Sequence, residues 1–334
     1  MLKEFIKKHC ISKFNKKWAR KTAPFCMHLF DELYITKNES FFCCECTKSP
    51  YNPPSFHKGK PKFSFFKYIN AIDKTLTQNI KGDGDCCSCK YVKELPVPEM
   101  QNKMISQFTL NHFTKCNANC VYCAIKDKST PSKVRLKPYI LQLEKENIIS
   151  DDCLFIWGGG EPTIFEEFPA LYKYLVSKNY HQHINTSAKL FSQEVYDALS
   201  KDGNSVMISP DAGTERTYSG IKRSNGFDQV WNNIKKYSEA GGNLIIKYIV
   251  FSLNSNKEEI EAFIQKCTEN NVKSVQIDCE FNSMNGNFPP PVKITEKEIT
   301  AAILLKDLCI ENNISFSIGN NWSFDLAEKI KNSG

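Results

Sequence analysis

Three cysteines, Cys116, Cys120 and Cys123, stand on the run Lys115-Cys116-Asn117-Ala118-Asn119-Cys120-Val121-Tyr122-Cys123, a C-x3-C-x2-C spacing. A loop of that length offers three thiolates to three irons of a 4Fe–4S cube and leaves the fourth iron without a protein ligand, open to a small molecule. With 15 cysteines in 334 residues, chance would produce this spacing only about 0.03 times. Zinc is the competing occupant. Structural zinc takes four ligands in closely spaced pairs, and here neither a fourth cysteine nor a histidine follows nearby in C-x2-C or H-x3-H form.

One strand further on, Cys153-Leu154-Phe155-Ile156-Trp157 runs into Gly158-Gly159-Gly160-Glu161-Pro162. Five apolar residues bounded by glycines read as a buried strand, and residues without a Cβ let bare backbone approach a ligand. Glu161 adds an acceptor. By itself the triplet would be a turn beside a solvated carboxylate; following a cysteine loop across a helix-compatible stretch, it becomes the second half of a site.

Together, C-x3-C-x-aromatic-C and G-G-G-E-P resemble the radical S-adenosylmethionine (SAM) superfamily. The resemblance implies that Cys116, Cys120 and Cys123 ligate a 4Fe–4S cluster and that SAM chelates the open iron. It also places Tyr122 near the adenine, with Gly158, Gly159, Gly160 and Glu161 gripping the methionine end. In that family one electron from the cluster cleaves SAM to methionine and a 5′-deoxyadenosyl radical, which takes a hydrogen atom from the substrate. The cofactor brings the difficult chemistry while the protein positions it. A reductant such as flavodoxin or ferredoxin is implied as a partner.

Such motifs need a carrier. After Leu95-Pro96-Val97-Pro98, short apolar runs alternate with amphipathic stretches, the pattern of βα units and a parallel sheet. Six strands are expected, at Phe108–Phe113, Leu154–Trp157, His183–Ser187, Val206–Ser209, Leu244–Phe251 and Val275–Ile277. Phe227, Val230, Trp231, Ile234 and Tyr237 share one helical face, and Ile260, Phe263, Ile264 and Cys267 share another. Ser255 with Glu258, and Thr295 with Glu298, have capping-box spacing.

The fold class expected is α/β, a partial (β/α)6 TIM-type barrel preceded by a small cysteine-rich α+β domain, with domains at 1–98 and 99–334. Both motifs then fall at carboxyl ends of strands, where such barrels keep their chemistry. Asn185 and Thr186, Ser209 and Asp211, and Lys247 become lining candidates. Ser209-Pro210-Asp211-Ala212-Gly213 resembles the family segment that reaches the SAM ribose. Lys247 interrupts an apolar strand, so it points into the barrel or snorkels at its end. Arg223 is either a carboxylate clamp or a solvated loop residue.

The amino-terminal third holds Cys10, Cys26, Cys43, Cys44, Cys46, Cys86, Cys87 and Cys89. Cys26, then Leu33-Tyr34-Ile35, a turn at Asn38, and Phe41-Phe42-Cys43-Cys44 resemble the opening of a SPASM domain, the auxiliary-cluster module of many radical SAM enzymes. Asn38 stands where the module usually has glycine, and asparagine tolerates the left-handed conformation. The resemblance implies Cys26, Cys43 or Cys44, Cys86 (or Cys87) and Cys89 as ligands of a second 4Fe–4S cluster. A four-thiolate zinc site is the alternative. Two departures stand out: the module precedes the barrel, and no further spaced cysteines follow Cys89. Cys10, Cys46, Cys153, Cys267, Cys279 and Cys309 are expected to be buried or free thiols.

No run of eighteen apolar residues occurs and the start lacks a signal-peptide core, so a cytoplasmic protein without a membrane span is expected. Fifteen cysteines in a reducing compartment point to metal rather than disulfides. The net charge of +7 is concentrated near the start, at Lys3, Lys7, Lys8, Lys13, Lys16, Lys17, Arg20 and Lys21. That segment suits an acidic leader peptide, a nucleic acid or a membrane surface, or is simply a solvated helix. The leading functional expectation is a radical SAM enzyme acting on a peptide, a protein or a sugar-like small molecule, its auxiliary cluster relaying an electron. The alternatives are a glycyl-radical activase and, from another class, a zinc-organised nucleic-acid-binding protein.

Overall fold

The computed structural model describes residues 2–37, 39–42, 57–58, 63–84, 86–87, 89, 91–101, 104–123, 125, 134–280 and 294–333. The chain divides into two units, Met1–Phe113 with Thr130–Ile156, and Thr114–Ser129 with Trp157–Gly334. The 98/99 division falls inside the first.

The first unit comprises α1 (Leu2–Trp18), β1 (Thr22–Phe25), α2 (His28–Asp31), β2 (Glu32–Thr36), β3 (Glu39–Phe41), β4 (His57–Lys58), α3 (Phe65–Lys81), β5 (Lys93–Pro96), β6 (Ile105–Asn111), α4 (Leu136–Lys145) and β7 (Ile149–Trp157). The expected hairpin is present: β2 and β3 pair antiparallel, Tyr34 opposite Phe41 and Ile35 opposite Ser40. The other edge of β2 pairs in parallel with β6, Leu33 opposite Phe108 and Ile35 opposite Leu110. Phe25 packs edge-on against Phe30 at 5.1 Å, and the Tyr68 hydroxyl donates to the Phe30 carbonyl at 2.8 Å. From the basic α1, Lys7 turns inward and donates to the carbonyls of Glu146 and Asn147 at 2.6 and 3.2 Å, satisfying acceptors at the end of α4. Burial lowers its pKa, opposed by the nearby Glu146 carboxylate. The neighbouring Lys8, Lys13, Lys16 and Lys17 stay exposed, a solvated helix face.

The second unit comprises α5 (Phe168–Ser177), β8 (His181–Thr186), α6 (Gln193–Leu199), β9 (Ser205–Ile208), α7 (Glu215–Lys222), α8 (Phe227–Glu239), β10 (Asn243–Val250), α9 (Lys257–Glu269), β11 (Ser274–Cys279), α10 (Glu296–Glu311), β12 (Ser315–Ile318) and α11 (Phe324–Asn332). Strands β8 to β12 lie side by side in sequence order, every pair parallel. Leu244, Ile246 and Tyr248 are buried on one side of β10, and Tyr248 meets Phe263 of α9 at 4.5 Å. Both predicted helical faces are buried. Each such side chain removed from water contributes about 1.5–3 kcal/mol.

All six expected strands are present, as β6 to β11, and the fold is an α/β partial barrel. The parallel strand β12 was not anticipated, because Ser315-Phe316-Ser317-Ile318 is too short to show a period. Thr295 and Glu298 form the predicted capping box. The other prediction is corrected by one residue: Asn256, not Ser255, caps α9 and accepts from the Glu259 N–H at 2.9 Å. Asparagine caps as well as serine. The helix so placed carries Glu259 beneath the loop after β9, where it accepts from the N–H groups of Gly213 and Thr214 and from the Thr217 hydroxyl.

Candidate active site

The cysteine loop has almost no regular structure of its own, so its shape comes from what it leans on. The Asn119 and Val121 N–H groups donate to the carbonyls of Lys222 and Ile221, each at 2.9 Å. These are end-of-helix acceptors on α7, where Arg223 in a left-handed conformation (φ 47°) stops the helix and leaves carbonyls without an internal partner. Val121 and Tyr122 pack against Ile221, Ile249 and Phe251. The Cys123 N–H closes a turn onto the Cys120 carbonyl at 3.1 Å. Cys116, Cys120 and Cys123 are all half-buried.

On the other side of the loop lies the glycine turn. Gly159 takes φ 82°, a conformation open to glycine at little cost. A Cβ on Gly160 would stand 2.1 Å from the Lys115 carbonyl oxygen, and the Glu161 N–H donates to that same carbonyl at 2.9 Å. The two sequence motifs are therefore in direct contact. Asn117 adds a second tether, its side-chain oxygen accepting from the Ser187 hydroxyl at 2.9 Å and its carbonyl from the Lys189 ammonium at 3.2 Å.

Glu161 is 1% exposed. Its Oε1 accepts from the Thr163 N–H at 3.1 Å and from the hydroxyls of Thr163 and Thr186, each at 2.7 Å; Oε2 accepts from the Ser187 N–H at 2.6 Å. The carboxylate thus ties the end of β8 to the glycine turn and keeps acceptor capacity on Oε2 for one more donor. Glu161→Gln, which turns an amide donor on this ring of donors, is expected to lower unfolding free energy by about 2–3 kcal/mol. Urea denaturation checks it, and a change under 0.5 kcal/mol would remove the clamp role.

The remaining candidates occupy different places. Tyr122 directs its hydroxyl to Asp211 Oδ2 at 2.5 Å and receives the Lys222 ammonium at 2.6 Å, while Lys222 and Asp211 form a buried ion pair. Burial, then the Asp211 charge, holds the Tyr122 phenol well above its ordinary pKa, so it remains a donor. Asn185 donates to the Trp157 carbonyl at 3.2 Å. Ser209 is half-buried just beyond β9. Lys247 pairs with Asp278 at 2.7 Å, on the strand side that also carries His183 and Ser205, hydrogen-bonded to each other at 2.7 Å. Burial lowers the His183 pKa, and the Lys247 charge adds to this. Arg223 is exposed; its neighbour Lys222, only 4% exposed, is the cation the site uses. No local pattern singles out Lys222, since only the helix end decides which of two adjacent cations faces inward.

In the first unit, Cys26 follows β1, and the Cys89 N–H donates to the Cys86 carbonyl at 2.9 Å. Asn79, at the end of α3, donates to the Pro24 carbonyl at 2.8 Å, which joins the element carrying Cys26 to the one leading to Cys86. Cys86 is buried and Cys87 exposed. Cys43, Cys44, Cys46 and Asn38 lie outside the described residues. Burial pushes the thiols of Cys153, Cys267 and Cys279 up, and that of Cys309 to about 12, which keeps them protonated and inert.

Among the described residues, no three His, Cys, Asp or Glu side chains converge as the ligands of one metal ion would. A cube asks the protein for thiolates on separate irons. The donor set fits the cube: three half-exposed thiols on a pinned loop, beside a bare backbone turn and a carboxylate with spare acceptor capacity.

The fold is an α/β partial barrel in which the C-x3-C-x2-C loop rests on a glycine-rich strand end. Residues 110–267 match the model of the Radical SAM superfamily, whose members use a 4Fe–4S cluster and SAM. The sporulation killing factor maturation protein SkfB of Bacillus subtilis (strain 168) is 29% identical over 164 residues, 48% of this chain and 38% of that one. The GTP 3',8-cyclase of Vibrio atlanticus (strain LGP32) is 24% identical over 156 residues, 45% of this chain and 46% of that one. The chain thus spans less than half the length of these curated relatives. Among solved structures, Streptococcus suis SuiB bound to precursor peptide SuiA is similar in fold, with a TM-score of 0.52 at 14% identity over 81% of this chain and 61% of that one. Among the described residues no helix is long and apolar enough to cross a membrane.

Proposed function

We propose that this chain is a radical SAM enzyme that modifies a peptide or protein in the cytoplasm. The observation that carries the reading is the seat of Gly160 and Glu161 on the Lys115 carbonyl, which brings the thiolate loop and the glycine turn together. When bound, the cluster and SAM supply reductive cleavage to a 5′-deoxyadenosyl radical that abstracts a hydrogen atom from substrate.

The chain's own part is to hold and orient. Cys116, Cys120 and Cys123 hold the cluster; Gly158, Gly159, Gly160 and Glu161 receive the methionine end of SAM. Tyr122 lies on the adenine side, and Asn185, Ser209 and Lys247 line the nucleoside and substrate side. Residues 1–98 form an auxiliary module in which Cys26, Cys43 or Cys44, Cys86 and Cys89 hold a second cluster that relays an electron, with flavodoxin or ferredoxin as reductant. The burial of Cys86 and the exposure of Cys87 favour Cys86 as the ligand. A peptide substrate is supported by SkfB, named for maturation of a killing factor. The cyclase match supports a nucleotide as the second reading.

Anaerobically reconstituted protein with SAM and a strong reductant is expected to release 5′-deoxyadenosine, and about eight irons per chain would mark two cubes rather than one. Mass spectrometry of candidate peptides and of GTP separates the two substrate readings. Cluster-loaded protein that leaves SAM intact with either class would overturn the proposal.

A further inference from the structure

Against the cysteine loop stands a group of buried side chains, Asp211, Lys222 and Tyr122, the last with its hydroxyl beside the Cys120 thiol. Asp211 is fully buried in a left-handed conformation (φ 56°) that a non-glycine residue keeps only when its surroundings enforce it. The enforcement is visible: Oδ1 accepts the Ile249 N–H at 2.8 Å, and its carbonyl accepts the Asn254 amide at 2.9 Å. Its Oδ2 takes the Tyr122 hydroxyl and the Lys222 ammonium. Lys222 in turn holds the loop twice, through its ammonium on the Tyr122 hydroxyl and through its carbonyl on the Asn119 N–H. A buried charge pair is costly to desolvate and weak evidence of stability for its own sake, so its retention asks for a reason.

We propose that Asp211 and Lys222 are positioning residues that act through Tyr122. They form a charge-balanced latch that fixes the Asn119–Cys123 segment in ligating geometry and holds the electrostatic field at the cluster near neutral. The latch is partly independent of what the loop carries. It rests on the radical SAM reading only for the identity of the bound group, since the hydrogen bonds are made by the protein alone.

The charges give the two variants opposite signatures. Asp211→Asn leaves Lys222 uncompensated and favours the more negative, reduced cluster; Lys222→Gln leaves Asp211 uncompensated and disfavours it. A merely structural role would move both in the same direction.

The test has two arms. In protein prepared without iron, hydrogen exchange of the peptide containing Asn119 and Val121 should accelerate at least tenfold in Asp211→Asn, Lys222→Gln and Tyr122→Phe, while that of β8 stays unchanged. In reconstituted protein, titration followed by electron paramagnetic resonance should give a higher midpoint potential for Asp211→Asn, a lower one for Lys222→Gln, and a value back toward wild type for the double variant. If a single variant fails to load iron, loading regained in the double variant supports the balance of charge. Unchanged exchange, potentials shifted in one direction, or a double variant that does not recover would overturn the latch. The exchange arm reads out even if SAM is never cleaved, so failure here is distinguishable from failure of the proposed function.

Discussion

Cys116→Ala, Cys120→Ala or Cys123→Ala should each abolish 5′-deoxyadenosine formation while leaving the protein folded. A cube held by three protein thiolates has no spare ligand, since its fourth iron must stay open for SAM, and two thiolates cannot present that iron. The fold should survive because all three side chains are half-buried on a loop pinned by backbone hydrogen bonds from Asn119 and Val121, and by Tyr122. Substitutions at such positions usually change stability by no more than about 0.5 kcal/mol. The measurements are nucleoside release by chromatography, iron per chain, and a thermal midpoint. Nucleoside formed at the wild-type rate by any one of the three would detach that cysteine from the cluster. A protein that loses its iron and also unfolds would mean the loop depends on the metal for its shape.

Gly160→Ala should come second in severity, with at least about a hundredfold loss of SAM cleavage, some 2.7 kcal/mol in the barrier. The added methyl would lie 2.1 Å from the Lys115 oxygen and 2.7 Å from the Thr114 carbonyl carbon. Both are backbone atoms that cannot swing aside as a flexible side chain can. Relief comes only by parting the glycine turn from the cysteine loop, which breaks the Glu161-to-Lys115 hydrogen bond as well. Because the thiols themselves are untouched, iron content should remain near wild type while SAM binding weakens. That split between intact loading and lost turnover is the signature to look for. An active Gly160→Ala protein would mean that the contact between the motifs is not what aligns them.

Legibility followed range. C-x3-C-x2-C and G-G-G-E-P are local patterns, and each was readable because its chemistry depends on spacing within a few residues. The faces of α8 and α9 were readable for a related reason, because helical periodicity records burial over a dozen positions. The strands β6 to β11 were legible as apolar runs, while β12, four residues of alternating serine and hydrophobe, carried too little pattern. The cap of α9 falls at Asn256 rather than Ser255, a choice between two adjacent good capping side chains, and Glu259 then meets the loop after β9. The latch residues were the least legible. Asp211 looked like one of several polar strand ends, and Lys222 was indistinguishable from Arg223 until the helix end turned one inward and the other out.

The amino-acid order by itself determined that three thiols share one short loop and that a bare glycine turn follows the next strand, because covalent connectivity fixes neighbours along the chain. It also determined the alternation of strand and helix, since periodic burial is written residue by residue. Only tertiary structure decided that the turn rests on the loop, that Glu161 is committed to Thr163, Thr186 and Ser187, and that a buried aspartate and lysine clasp Tyr122. Apart from the Thr163 contact, two positions away, those contacts join residues 25 to 100 positions apart. Such pairings form only when folding brings distant segments together, and no local pattern records which segments those will be.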